Sequence, residues 1–151
     1  MNGDGEFFFR NIDSDEAFDI TVGTVPSNTT CVVRGGRGTT GAYSINSVYV
    51  ACTLIRQNIG GKVDNLKSDG LVVVNGSNRV AIPANATSWS LTTRNASGEV
   101  TGGQVGQTRP YAVLVLEQPT RPTVQTCTVS NGVGIVATAD VSNVDITCTT
   151  P

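Results

Sequence analysis

Histidine is absent from this chain, methionine and tryptophan occur once each, and lysine stands at only two positions, Lys62 and Lys67. Without histidine the usual base for activating a nucleophilic cysteine is missing, and so is the usual ligand of catalytic zinc. Ten Lys and Arg against twelve Asp and Glu give a net charge of −2. No basic cluster therefore offers electrostatic footing to nucleic acid or to an anionic membrane. No apolar run reaches the roughly 18 residues of a membrane span. The opening Met1-Asn2-Gly3-Asp4-Gly5-Glu6 has neither the basic nor the apolar part of a signal peptide. An exported chain that begins this way is expected to be a mature segment or a piece cut from a longer one. The residues predict no enzyme, with no catalytic, cofactor-binding or metal-binding side chains, no nucleic-acid partner and no membrane insertion.

What the chain does contain is glycine, 17 in all, together with many Thr, Val, Ser and Asn. This composition disfavours helices and suits pleated strands joined by tight turns, so an all-β fold is expected. Four cysteines, an even number, in a strand-rich chain point to disulfides and an oxidising compartment.

The cysteines carry an internal repeat. Subtracting 31 from 127 and 52 from 148 gives 96 in both cases, and the segments between them align without a gap. Cys31-Val32-Val33-Arg34-Gly35-Gly36-Arg37-Gly38 lies over Cys127-Thr128-Val129-Ser130-Asn131-Gly132-Val133-Gly134. Upstream, Phe18-Asp19-Ile20-Thr21-Val22 matches Tyr111-Ala112-Val113-Leu114-Val115, and Phe7-Phe8-Phe9 matches Trp89-Ser90-Leu91 in spacing. Residues 54 to 88 have no counterpart before residue 1, so the first copy lacks its opening strands. Because each repeat should carry its own staple, Cys31 is expected to pair with Cys52 and Cys127 with Cys148. The longer connection from Thr92 to Gln107 reads as a projecting loop or an extra hairpin.

Alternation assigns the faces. Phe18, Ile20 and Val22 share one side of a strand, as do Tyr111, Val113 and Val115, while the apolar Leu114 and Leu116 suggest a strand covered on both sides. Further strands are expected at Leu71 to Val74, Arg79 to Ile82 and Trp89 to Thr93. Asn75-Gly76 and Asn131-Gly132 supply the positive-φ positions of tight hairpins. The same alternation turns all four sulfurs inward.

The pattern Gly61-Lys62-Val63, Gly70-Leu71-Val72-Val73, Asn75-Gly76, Tyr111-Ala112-Val113-Leu114-Val115, Gln118-Pro119, Thr126-Cys127-Thr128-Val129-Ser130-Asn131-Gly132 and Val144-Asp145-Ile146-Thr147-Cys148 resembles the tandem immunoglobulin-like repeats of large secreted bacterial proteins. The resemblance spans about residues 59 to 149 and returns, truncated, over 3 to 53. Trp89-Ser90-Leu91 departs from the family's Phe-rich strand. The resemblance implies tandem immunoglobulin-like β-sandwich repeats with the first copy incomplete: residues 1–53 form the C-terminal half of one repeat and residues 54–151 a whole one. It also implies a structural module of an extracellular fibre, filament, surface or adhesin protein of a bacterium. The half repeat leads to an expectation of self-association, with strands exchanged between chains. The alternative is an adhesive module that binds a glycan or a host protein.

Four other motifs have plain readings. Arg34-Gly35-Gly36-Arg37-Gly38 looks like an RNA-binding box, but its counterpart in the second copy is Ser130-Asn131-Gly132-Val133-Gly134, and a hairpin turn accounts for both. Asp4, Glu6, Asp13, Asp15 and Glu16 are dense enough to suggest calcium but lack the spacing of a known loop, so a solvated loop is expected. Trp89 reads as core rather than as a sugar platform. No spacing brings Asp64 to Asp69, or Glu99 to Glu117, as a hydrolytic pair.

Overall fold

In a computed structural model, which describes residues 5–151, the described chain is all-β and divides into two compact units, one ending at Thr53 and the other running from Leu54 to Pro151. Among the described residues there is no helix.

The first unit contains β1 (Ala17–Asp19), β2 (Thr29–Arg34), β3 (Arg37–Thr39) and β4 (Tyr49–Leu54), whose last residue opens the second unit. Strand β1 pairs antiparallel with β3, and β2 pairs with β4. The Cys31–Cys52 disulfide joins β2 to β4, with the Cα atoms 4.0 Å apart.

The second unit contains twelve strands: β5 (Arg56–Gln57), β6 (Gly60–Asp64), β7 (Leu71–Asn75), β8 (Asn78–Ile82), β9 (Ser88–Ser90), β10 (Thr93–Arg94), β11 (Val100–Gly102), β12 (Val105–Gly106), β13 (Pro110–Glu117), β14 (Thr126–Ser130), β15 (Val133–Ile135) and β16 (Asp145–Thr149). Two four-stranded sheets dominate, in the orders β15-β13-β7-β8 and β14-β16-β6-β9. Leu71, Val73, Tyr111 and Val113 of the first sheet share one core with Val63, Trp89, Cys127, Ile146 and Cys148 of the second. Two sheets sharing one core in this way are consistent with a β-sandwich.

Local chemistry sets these strands. Along β7, Leu71 and Val73 are buried and Val72 and Val74 are not, the period-two signature of a sheet with one covered face. Asn75 pairs with Asn78 across a two-residue turn in which Gly76 takes a φ of 59°, a value that glycine adopts without steric cost. In β6 the backbone runs so close to its neighbours that a Cβ on Gly61 would collide with the Val144 carbonyl. Strand β6 pairs parallel with β16, through Ile146 to Val63 and Thr147 to Asp64, and antiparallel with β9. Cys127 and Cys148 face each other directly across β14 and β16 and are bonded.

Several expectations are corrected. Not all four cysteines turn inward: Cys127 and Cys148 are buried, but Cys31 is half-buried and Cys52 exposed, because no second layer covers β4. Leu114 and Leu116 are exposed, so β13 is covered on one face only: its other face is left to solvent, and apolar side chains there carry no information about a second layer. Asn131-Gly132 does not close a hairpin. Strands β14 and β15 belong to different sheets, and the short turn, with Asn131 at a φ of 55°, carries the chain from one sheet to the other. The same holds for Gly35-Gly36, with Gly35 at a φ of 67°, between β2 and β3. The 92–107 connection contains a small hairpin, β10 with β11.

Candidate interaction face of the first unit

The two units share a register at the level of single residues. In the first, Phe18 lies opposite Gly38 and the Ile20 amide donates to the Gly36 carbonyl at 2.7 Å. In the second, Tyr111 lies opposite Gly134 and the Val113 amide donates to the Gly132 carbonyl at 2.7 Å. Both pairings carry offsets of 93 on one strand, as 111 less 18, and 96 on the other, as 134 less 38. The cause is the same in each unit. The ring of Phe18 or Tyr111 lies against the facing glycine, so closely that a Cβ there would require the ring to shift.

The units differ in what covers this frame. In the second, β13 continues past β15 to pair with β7 through Val113, Leu114 and Val115, and β16 takes β6 as its further neighbour. The positions equivalent to Val113, Leu114 and Val115 are Ile20, Thr21 and Val22, which lie in no strand, and the positions equivalent to Ile146 and Thr147 are Val50 and Ala51. None of the described residues in the first unit is buried. Val50 is 39% exposed where Ile146 is 0% exposed. Phe7 and Phe9 are 44% and 63% exposed, where Trp89 and Leu91 are 7% and 0%. The two phenylalanine rings lean on each other edge to face, 6.0 Å apart, and their residues lie in no strand. An open depression of about 590 Å³ runs along this side, lined by Ile20, Val22, Cys31, Val33, Gly36 and Arg37 among others.

A second, polar feature belongs to the second unit. Asp140 accepts the Asn58 backbone amide at 2.8 Å on one carboxylate oxygen and the Asn58 side-chain amide at 2.9 Å on the other. The Asn58 side-chain oxygen in turn accepts from the Thr92 hydroxyl at 2.6 Å and from the Gln104 amide at 3.1 Å. These bonds tie three distant loops together and border a shallow cleft of about 310 Å³ that also includes Lys62, Ser90 and Ser142. The Asn58 side-chain and backbone bonds hold the Asp140 carboxyl below its ordinary value of 3.8. A depressed folded-state pKa adds stability that is fully present above the ordinary carboxylate range and lost as pH falls through the lower folded value. Asp140→Ala is therefore expected to melt slightly below wild type at neutral pH, with the difference closing under strongly acid conditions. Thermal melts at a series of pH values check this; the effect is small because the carboxylate is exposed and screened by water.

Sequence reasoning missed this network, because its members are separated by up to 82 residues and share no motif. It also missed Gln125, buried, whose side-chain oxygen accepts the Lys67 and Ser68 amides and whose side-chain amide donates to the Asn65 carbonyl. Trp89 is core: its indole N–H donates to the Val144 carbonyl at 2.8 Å. Asp69 accepts the Ala84 amide, and Glu99 accepts the Asn95 side-chain amide, so both carboxylates serve local loop structure. Near the acidic cluster, the Thr40 hydroxyl donates to the Asp13 and Glu16 carbonyls. Among the described residues no three acidic, cysteine or histidine side chains converge as metal ligands. Asp4 lies outside the described residues. Arg37 pairs with Asp19 at 3.0 Å, with both side chains exposed.

The architecture so defined is an all-β, disulfide-bonded protein whose second unit is consistent with a β-sandwich and whose first unit, with no buried residue among those described, shares part of its strand register. Its two disulfides suit an oxidising compartment, and no helix among the described residues is long and apolar enough to cross a membrane. Compared with family models, with curated proteins and with solved structures, the chain matches none.

Proposed function

We propose that this chain is a structural repeat module of an extracellular fibre, filament or surface protein, immunoglobulin-like in plan, that assembles by β-strand exchange between chains. The observation that carries the reading is the shared register of the two units, one covered and the other open along the same strands. A module whose sheets are stapled by cross-strand disulfides suits a role in projecting and bearing load outside the cell. The test is done in cells that produce the protein. Thiols are trapped with an alkylating reagent before lysis, and intact cells are labelled with antibody to the second unit. Oxidised cysteines and surface or secreted label are expected; four alkylated cysteines in a cytosolic pool would sink the proposal.

The polar cleft beside Asn58, Lys62 and Asp140 supports a second reading, an adhesive module that binds a glycan or a host protein. Glycan-array binding that disappears when β10 and β11 are deleted would favour it.

A further inference from the structure

We infer that the outer face of the β15-β13-β7-β8 sheet of the second unit docks onto the same face of a second copy of this chain, packed sheet against sheet about a two-fold axis. The contact rests on the fibre-module reading for its supply of neighbouring copies, but it involves no exchange of strands.

This face is aliphatic where a solvent-facing sheet is ordinarily polar. Val133 and Ile135 of β15 are 74% and 70% exposed, and Leu114 and Leu116 of the adjacent β13 are exposed beside them. On β7, Val74 lies opposite Leu114, and both Val74 and Val72 are half-buried on the side away from the core. Charge stands only at the margins, with Arg79 on the outer strand β8 and Glu117 at the end of β13.

Two comparisons within the chain show that the fold does not require these side chains. The other sheet of the same unit turns Thr126, Thr128, Thr147 and Thr149 to solvent. In the first unit the register is shared but the chemistry is reversed. Ala112 and Val133, which lie opposite each other, are replaced by Asp19 and Arg37, also opposite each other and ion-paired at 3.0 Å. Leu114 and Ile135 are replaced by Thr21 and Thr39. An aliphatic cluster held in water contributes nothing to the stability of the unit that carries it, whereas burial against another surface removes it from water.

Size and charge select the occupant. Four strands about 4.8 Å apart, each with about five residues rising about 3.3 Å, make a surface of roughly 300 Å2. Two such faces bury on the order of 600 Å2, well short of the roughly 1,200 Å2 at which separate proteins form stable complexes. A partner met by diffusion at low concentration would not be held. A neighbouring copy in a fibre is already at high effective concentration, where a weak contact suffices. The net charge of −2 puts little repulsion between copies, and the middle of the face has no charge to desolvate. A two-fold contact of this kind closes on itself. Because the equivalent side of the first unit is polar, association through this face stops at two chains.

Sedimentation velocity of the full chain from about 10 μM to about 1 mM is expected to show a reversible equilibrium between monomer and dimer, as suits so small an interface. Ala112→Asp, Leu114→Thr and Val133→Arg together give the second unit the side chains that the first carries at those places. This triple variant is expected to keep the wild-type melting transition and to dimerise at least about tenfold more weakly. As a second measurement, which needs no variant, methyl NMR signals of Leu114, Val133 and Ile135 in the unaltered chain should shift with concentration over the same range. An unaltered chain that stays monomeric, with those signals fixed, overturns the inference and leaves the face to a different protein. A folded triple variant that associates as strongly as the unaltered chain also overturns it, since the contact then lies elsewhere, as exchange of strands by the first unit would place it. Neither failure alters the cellular location or the redox state of the protein, so both are distinguishable from failure of the fibre-module reading.

Discussion

Ile146→Asp is expected to abolish cooperative unfolding of the second unit, while Val50→Asp, at the equivalent position of the first, is expected to leave the protein's main melting transition almost unchanged. Ile146 is fully buried in β16, opposite Val129 on one side and beside Val63 on the other. An aspartate there has no cation within the core cluster, which contains only apolar and cysteine side chains. Leaving a buried charge unpaired costs several kcal/mol, a large part of the roughly 5–15 kcal/mol that holds a domain folded. Val50 already contacts water, so the same carboxylate keeps most of its hydration. Circular dichroism melts of the two variants, run beside wild type, check the contrast. Equal loss in both would mean that the first unit has a buried core of its own.

Removing the Cys127–Cys148 disulfide, by substituting both cysteines with alanine, is expected to destabilise the second unit by about 3 kcal/mol on the loop-entropy estimate for a closed loop of this size. The partners are 21 residues apart in sequence, and both are buried, so the loss includes cross-strand packing between β14 and β16 as well as the constraint on the unfolded chain. The equivalent change at Cys31 and Cys52 should act differently. That unit has no buried residue to hold β2 against β4, so loss of the bond is expected to unpair the strands without a distinct cooperative step. Denaturant titrations of the second unit's tryptophan, together with amide exchange along β2 and β4, separate the two effects. A single shared transition, equally shifted by either double substitution, would contradict this division.

The all-β character was legible in the residues because it depends on short-range chemistry: glycine-rich turns, few helix formers and apolar residues every second position. The equivalence of Phe18 with Tyr111 was legible for a related reason. Each aromatic faces a glycine at which a side chain would crowd its ring, and the glycines recur at the same distance from the cysteines. Alternation also identifies which side chains share a face, but it says nothing of what lies against that face. The exposure of Leu114 and Leu116, the passage of Asn131-Gly132 from one sheet to the other and the parallel pairing of β6 with β16 were therefore decided only by the tertiary structure. So was the bond from Asp140 to Asn58, which closes a long loop and has no local signature. The deepest difference between the units is of this kind too. Both contain the frame that the sequence specifies, but burial is a property of assembled sheets, and the strands that convert Val144, Ile146 and Cys148 into core have no counterpart among the described residues of the first unit.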